Sequence, residues 1–193
     1  MADWVIATVD QYIPAGTRLF RSSAPGYLGH DEKQELTDSQ INTLLEKQIK
    51  CIFSLNSEPY SEATQGMLGQ ADITYIHYGV KDFRAPSGEI MRAGYDSLML
   101  HNSMLVHCGA GYGRTGTLVT AVQLYATDGS SPEESKWESV NHVEEEPQME
   151  ALRKLRSSLR LKKDQLGIGC VIMRILTNQL LIVYFSRFTD ELK

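Results

Sequence analysis

Three short apolar runs stand out in the pattern of hydrophobic and polar positions along this chain of 193 residues. They are Lys50 to Leu55, Ile73 to Tyr78 and Met104 to Val106. Short runs of apolar, β-branched and aromatic residues are typical of buried strands. The pattern therefore predicts three strands, which are separated by longer and more polar stretches.

Three of the remaining stretches carry helix signals. Thr37 and Gln40 have the spacing of a capping box, and an apolar stripe follows them. A second apolar stripe starts near Thr115 and stops at the Asp-Gly turn at 128–129. The Ser-Pro pair at 131–132 combines an N-cap residue with a proline at the first helical position, so it predicts a third helix there.

Strands that alternate with helices predict an α/β fold, in which a central, mostly parallel sheet is flanked by helices. We find no Pro/Ser/Gly-rich linker, internal repeat or low-complexity segment that would divide the chain. We therefore predict one domain over residues 1–165. Residues 166–193 are predicted to form an apolar helical extension, packed on that domain or in an interface.

The extension contains an apolar stretch, Leu166 to Phe185, that is nearly long enough to span a bilayer. Arg174 lies in its middle, and a central arginine costs about 2.5–3.5 kcal/mol on insertion scales. Burial against protein is therefore the expectation, and membrane contact is the less favoured alternative.

Composition narrows the class of protein. A formal net charge of -5 and a hydrophobic content of 42% indicate a soluble protein and argue against general nucleic-acid binding. Three cysteines, an odd number, do not form a disulfide framework, and the N-terminus lacks the basic and apolar regions of a signal peptide. A reducing cytoplasm is the expected location.

The most informative segment is 107–117, His-Cys-Gly-Ala-Gly-Tyr-Gly-Arg-Thr-Gly-Thr. Gly109, Gly111 and Gly113 permit backbone angles that a Cβ forbids, so successive N–H groups can face one concavity. The loop leads from a strand into a helix N-terminus, where unpaired N–H groups favour negative charge. The segment therefore predicts an anion site with the thiol of Cys108 at its floor.

The side chains around this thiol predict phosphoryl chemistry. The positive field of the loop favours the thiolate, which is the nucleophilic form. Arg114 supplies a planar guanidinium that can hold two phosphoryl oxygens, Thr115 supplies a hydroxyl for the sulfur, and His107 orients the loop. The alternative is a glycine-rich turn with an inert buried cysteine, but it does not account for arginine and threonine at these offsets.

The pattern His-Cys-x-x-Gly-x-x-Arg-Thr resembles the signature of the cysteine-dependent protein tyrosine phosphatases, and among them the small atypical dual-specificity phosphatases. The resemblance runs from about Arg18 to Leu159. It implies that Cys108 attacks phosphorus and that water then hydrolyses a phosphocysteine, without metal or cofactor. The residues implied to bind the phosphate are Gly109, Ala110, Gly111, Tyr112 and Gly113.

The departing oxygen needs a proton, and Asp82 is the candidate general acid. It follows the predicted strand at 73–78, in a loop that is interrupted by Pro86. The family carries its acid in a similar Asp-Phe-x-x-Pro loop, which implies this role for Asp82 and a place at the pocket mouth for Phe83. A turn-forming aspartate is the alternative.

Other residues take roles from the same resemblance. Relatives carry a glutamine near the start of a late helix that orients the hydrolytic water, which implies this role for Gln148; a plain exposed helical glutamine is the alternative. Arg21 lies in a segment that looks like the family's opening strand, and it is expected to be structural. Cys51 is expected to be an inert core thiol, although it could instead trap an oxidised Cys108.

The expected substrate is a phosphorylated protein or peptide. The chain lacks the Asn-Arg-Tyr segment that deepens the pocket of tyrosine-specific relatives, so a shallower cleft would admit phosphoserine and phosphothreonine with phosphotyrosine. Phosphoinositides and RNA 5′-phosphates are alternative substrates on the same scaffold. A module that binds phospho-residues without catalysis is the alternative from another class.

Overall fold

The apolar runs belong to one five-stranded sheet. The computed structural model describes residues 4–30 and 34–165. Within them the strands are β1 Ile6–Val9, β2 Arg18–Ser23, β3 Cys51–Ser54, β4 Thr74–His77 and β5 Ser103–Cys108. The helices are α1 Asp38–Glu46, α2 Glu62–Gln70, α3 Gly88–His101, α4 Gly113–Ala126 and α5 Ser135–Ser139. A sixth helix, α6, covers 146–165 of the described residues.

The strands lie in the order β1-β2-β5-β3-β4. The four strands from β2 to β4 run parallel, and β1 pairs antiparallel with β2 at one edge. The predicted α/β fold with a mostly parallel sheet is therefore confirmed.

Strand β5 lies in the centre of the sheet, and all six of its residues are buried. Its register places His107 between Ser22 of β2 and Ser54 of β3. The carboxyl ends of parallel strands meet at one edge, where α/β proteins bind their ligands. Cys108, the last residue of β5, consequently shares this edge with the loops that follow β2, β3 and β4.

Helices cover both faces of the sheet. Leu44 of α1 and Leu68 of α2 pack against Leu105 on one face. On the other face, α4 is buried from Gly113 to Leu124 among α3, α6 and the sheet. A fully buried leucine or valine contributes about 1.5–3 kcal/mol, so this packing holds α4, and with it the loop that follows Cys108, firmly in place.

The predicted start of helix α1 is confirmed. Thr37 Oγ1 accepts the N–H of Gln40 at 3.3 Å, and Gln40 Oε1 accepts the N–H of Thr37 at 2.9 Å. Two N–H groups that the helix itself cannot satisfy are therefore bonded, as in a capping box.

The predicted helix start at the Ser131-Pro132 pair is wrong. The hydroxyl of Thr127 accepts the N–H of Ser131 at 3.0 Å and donates to its carbonyl at 2.6 Å. These bonds hold Ser131 in a turn after α4, so its backbone is not available to begin a helix. Helix α5 begins three residues after Pro132, at Ser135.

The predicted apolar extension over 166–193, with its stretch from Leu166 to Phe185, lies outside the described residues. Within 4–30 and 34–165, no helix is both long enough and apolar enough to cross a membrane.

Candidate active site

The cysteine loop connects the end of β5 to the first turn of α4. Gly111 has a φ of +82°, and a Cβ there would collide with the backbone of Ser22. Gly113 begins α4, and a Cβ there would lie 2.7 Å from the carboxylate of Glu144. Of the three glycines in the predicted loop, Gly111 is thus the one whose φ is positive and whose surroundings are backbone, whereas a Cβ on Gly113 would meet the ends of the flexible Glu144 and Gln148 side chains.

Burial alternates along this loop. Gly109, Gly111 and Gly113 are buried, whereas Ala110 and Tyr112 are exposed. The side chains of Ala110 and Tyr112 therefore face solvent, whereas the three glycines are covered by protein. The N–H of Gly113 is bonded to Glu144, and the Tyr112 carbonyl oxygen lies 3.9 Å from the Cys108 sulfur, so this peptide unit does not turn its N–H toward the predicted phosphate cradle.

Arg21 is bonded to the backbone of the cysteine loop, which agrees with the structural role expected of it. Its Nη2 donates to the Gly111 carbonyl at 2.6 Å and its Nη1 donates to the Asn141 carbonyl at 2.9 Å. Burial lowers the pKa of this guanidinium, and electrostatic interaction with Cys108 and Tyr112 acts in the opposite direction. Arg21 therefore combines a structural role with a positive charge close to the sulfur.

His107 also supports the loop. Its Nδ1 lies 3.2 Å from the carbonyl oxygen of Cys108, and its Nε2 lies 2.8 Å from the hydroxyl of Tyr60. Burial raises the pKa of Tyr60 well above its ordinary value, so the phenol keeps its proton and can donate to Nε2. Nδ1 then carries the ring proton and donates to the Cys108 carbonyl, which is the orienting role predicted for His107.

Replacing Tyr60 with phenylalanine is expected to lower the free energy of unfolding by about 1–3 kcal/mol, because Nε2 of buried His107 loses its donor. Phosphate release should fall at the same time. Urea denaturation and steady-state kinetics measure the two effects, with Tyr95→Phe on α3 as the matched control. Stability and activity equal to wild type would contradict this role of Tyr60.

Arg114 is 3% exposed and connects three segments of the site. Its Nη1 donates to the carbonyls of Val80 at 2.8 Å and Leu55 at 3.2 Å. Its Nη2 lies 2.8 Å from Oδ1 of Asp82. The guanidinium that was predicted to bind phosphate and the carboxylate that was predicted to protonate the leaving group are therefore direct neighbours.

Asp82 and Phe83 lie in a turn between β4 and α3, as predicted. The Asp82 side chain is 51% exposed, so solvent and substrate can reach it. Phe83 has a φ of +61°, and its N–H donates to Asp82 Oδ1 at 3.2 Å. A phenylalanine in the left-handed region is strained, and such strain is concentrated at functional sites.

Thr115 is fully buried, and its Oγ1 has no hydrogen-bond partner among the described residues. The predicted bond from this hydroxyl to the sulfur is therefore not formed in this structure. The Cys108 thiol instead lies 3.9 Å from the carbonyl oxygen of Tyr112. A buried donor without a partner is costly, and an anionic sulfur or phosphate oxygen nearby would satisfy it.

Gln148 is 1% exposed, which excludes the plain exposed glutamine that was the alternative. Its Oε1 accepts the N–H groups of Glu144 and Glu145, and its Nε2 donates to the Arg84 carbonyl at 3.3 Å. Nε2 would also lie 3.0 Å from a Cβ on Gly113. Gln148 is therefore at the cysteine loop, where the predicted role in hydrolysis needs it.

Glu144 is the site residue that sequence reasoning missed. Its Oε2 accepts the N–H of Gly113, the first residue of α4, at 2.9 Å. The sequence shows a glutamate run at 144–146, a pattern that is most often a solvated surface and that can also disfavour acidic partners nearby. Nothing in the run distinguishes the one carboxylate that reaches the loop from its two neighbours.

Cys51 is too far from Cys108 to form a disulfide with it. Cys51 opposes Met104 in the sheet, four residues before Cys108 on the same strand. At about 3.3 Å per residue this is roughly 13 Å, whereas a disulfide needs Cα atoms about 4.4–6.8 Å apart. Cys51 is completely buried, and burial raises the pKa of its thiol to about 12. The prediction of an inert core thiol agrees with these facts.

Mild peroxide is therefore expected to give no disulfide between Cys51 and Cys108. Peptide mapping of the oxidised chain by mass spectrometry measures this, and iodoacetamide should modify Cys51 only after denaturation. A linked pair of peptides from the folded protein would show that the distance in the sheet is not maintained.

Residues 17–165 match the family model described as Swiss Army Knife protein, DSP-PTPase phosphatase domain. The match covers most of the chain, so the protein belongs to this family of dual-specificity and tyrosine phosphatase-like domains. The resemblance drawn from the cysteine loop is thereby confirmed. A comparison with curated proteins by sequence found no match.

Solved structures show the same fold. Kinase associated phosphatase (KAP), with its catalytic cysteine replaced by serine, is 16% identical over 83% of this chain and 98% of its own, with a TM-score of 0.63. PTPMT1 in complex with PI(5)P is 15% identical over 83% and 99%, with a TM-score of 0.62. The catalytic core of the PP-IP phosphatase SIW14 from S. cerevisiae is 17% identical over 73% and 85%, with a TM-score of 0.50. Similarity at this level establishes the fold and leaves the substrate to the chemistry of the site.

Proposed function

We propose that this chain is a protein phosphatase that hydrolyses phosphotyrosine, together with phosphoserine and phosphothreonine, through a phosphocysteine intermediate. The observation that carries the proposal is the ion pair of Arg114 with Asp82, at the carboxyl edge of the sheet where the Cys108 loop begins. This arrangement supports assigning phosphate binding to Arg114, proton donation to Asp82 and nucleophilic attack to Cys108.

In the first step, the Cys108 sulfur attacks phosphorus and the bond from phosphorus to the leaving oxygen breaks. Arg114 binds the transferring phosphoryl group, because a guanidinium can hold two of its oxygens. Once Arg114 holds phosphate, Asp82 loses its cationic partner and faces an anion instead. The carboxyl group of Asp82 gives its proton to the leaving oxygen.

In the second step, water attacks phosphorus and gives a proton to the Asp82 carboxylate, while the bond between phosphorus and sulfur breaks and phosphate and the Cys108 thiolate are released. Thr115 has a buried hydroxyl without a partner among the described residues, so it can donate to the departing sulfur. Gln148 lies next to Gly113, and three hydrogen bonds fix its amide, whose second Nε2 hydrogen is the group that would orient the water. The scheme requires no metal ion or organic cofactor.

Two exposed aromatic rings support a phosphoprotein substrate. Phe83 is 63% exposed beside Asp82, and Tyr112 is 48% exposed on the cysteine loop. Aromatic side chains bind peptide rings and aliphatic side chains at low cost in conformational entropy. Phe83 lies on the turn that carries Asp82 and Tyr112 lies on the cysteine loop, so the residue carrying the phosphate would enter between them.

Phosphoinositides are the principal alternative, since PTPMT1 was solved with PI(5)P and SIW14 is described as a PP-IP phosphatase. The loop residues 109–113 carry no basic side chain. Additional phosphates on a head group would therefore find no cation inside the loop, which favours substrates with a single phosphate.

The acidic net charge disfavours RNA 5′-phosphates. A non-catalytic binding module is disfavoured because nucleophile and acid are both present.

A phosphate-release panel tests the proposal. It compares phosphotyrosyl, phosphoseryl and phosphothreonyl peptides with phosphoinositides and triphosphate RNA, all in the presence of EDTA. We expect release from the peptides, fastest from phosphotyrosine. Release from phosphoinositides alone, or loss of activity with EDTA, would contradict the proposal. A reducing cytoplasm is the proposed location, because it keeps Cys108 reduced.

A further inference from the structure

A carboxylate is bound to the cysteine loop. Oε2 of Glu144 accepts the N–H of Gly113 at 2.9 Å, and the Glu144 backbone is itself held by the side chain of Gln148. The same peptide unit carries the Tyr112 carbonyl oxygen, which lies 3.9 Å from the Cys108 sulfur. Glu144 therefore places a negative charge on the far side of this peptide unit from the reacting sulfur.

This charge has a predictable effect on substrates. A phosphate dianion in the loop is attracted by Arg114 but repelled by Glu144, and acidic side chains next to the phosphorylated residue add to the repulsion. A lysine or arginine next to that residue is attracted instead. Charge placed at the rim of a binding site determines specificity in this way more than it determines affinity.

There is room for such a basic side chain. A cavity of about 360 Å³ lies beside the loop, and Glu144, Tyr112 and Glu138 contribute to its lining. Glu144 offers a carboxylate with a second oxygen, and exposed Tyr112 offers an aromatic ring that can receive a cation. No lysine or arginine is among the residues that line this cavity, but His142 is, and its ring packs against that of Tyr112 with 5.1 Å between the ring centroids.

We propose that Glu144 is a specificity-determining residue, which makes the enzyme prefer phosphorylated segments with a lysine or arginine next to the phosphorylated residue. The proposal rests on the proposed phosphatase function. The proposal goes beyond that function because it names the sequence context of the substrate and the residue that selects this context.

Two phosphotyrosyl peptides, identical except that lysine or glutamate flanks the phosphotyrosine, test the proposal. For the wild-type protein at low salt we expect kcat/KM to be roughly tenfold higher for the lysine peptide. Glu144→Gln should reduce this ratio severalfold, chiefly by lowering KM for the glutamate peptide. Glu145→Gln removes the same charge one residue away, from a side chain that does not reach Gly113, and should leave the ratio unchanged.

The outcomes separate the possibilities. A ratio that Glu144→Gln leaves unchanged, or that Glu145→Gln lowers equally, would overturn the proposal. A purely structural role for Glu144, as the cap of α4, predicts equal loss of activity on both peptides and also overturns it. If Glu144→Gln does not fold, the ratio of kcat/KM for the two peptides is measured on the wild-type protein at low and at high salt. An electrostatic preference must shrink at high salt, so a ratio that salt leaves unchanged would overturn the proposal. Failure to hydrolyse either peptide would instead refute the proposed function.

Discussion

Replacing Cys108 with serine is expected to lower phosphate release by at least about a thousandfold, because a serine hydroxyl in this site has no adjacent base to activate it. The substitution changes one buried atom and leaves Arg114 and the loop amides in place. Binding of a phosphopeptide should therefore persist. Phosphate release under single-turnover conditions measures the first effect, and isothermal titration with a phosphotyrosyl peptide measures the second.

Cys51→Ala is the matched control for this variant. It removes a thiol from the same sheet, roughly 13 Å along from the catalytic position. It should lower thermal stability, since Cys51 is completely buried, while retaining activity in the folded protein. If the Cys108→Ser protein releases phosphate at the wild-type rate, the proposed mechanism, in which Cys108 is the nucleophile, is contradicted.

Replacing Arg114 with lysine is expected to reduce kcat/KM by about 10²–10³-fold. Loss of a single preorganised donor to a developing anion has an effect of this size in enzymes. Lysine keeps the positive charge but lacks the planar fork, so it cannot bond the Val80 and Leu55 carbonyls and hold a phosphoryl group together. Steady-state kinetics with a phosphotyrosyl peptide measures the loss.

Arg92→Lys provides the comparison. Arg92 lies on α3, where it pairs with Asp96 four residues later, and both side chains are more than half exposed. An exposed pair of this kind contributes about 0–1 kcal/mol, so this variant should retain wild-type kinetics. Equal activity of both variants would show that the buried guanidinium is not needed for phosphoryl binding.

Local signals made much of the fold predictable. The capping box at Thr37, the three apolar runs and the turn at 128–129 each depend on residues within a few positions of one another. The cysteine loop was predictable for the same reason, since nucleophile, glycines and Arg114 lie within seven residues. The error at 131–132 also has a local explanation, because a serine followed by proline begins turns as well as helices.

Contacts between distant segments could not be predicted. Glu144 reaches Gly113 because α6 packs against α4, and Tyr60 reaches a histidine 47 residues later because β5 lies beside β3. Such contacts depend on the register of strands and the docking of helices, which no short pattern encodes. The resemblance to a family identified the acid loop, but the ion pair of Asp82 with Arg114 is visible only in three dimensions.

The position of β5 has a consequence for how the protein fluctuates. A strand with a neighbour on each side and both faces covered opens only when much of the domain opens, whereas β1 and β4 can fray at the margins of the sheet. The backbone that carries Cys108 is therefore among the last parts of the chain to lose its protection against hydrogen exchange. Thermal motion that loosens the periphery leaves the reacting group in its place.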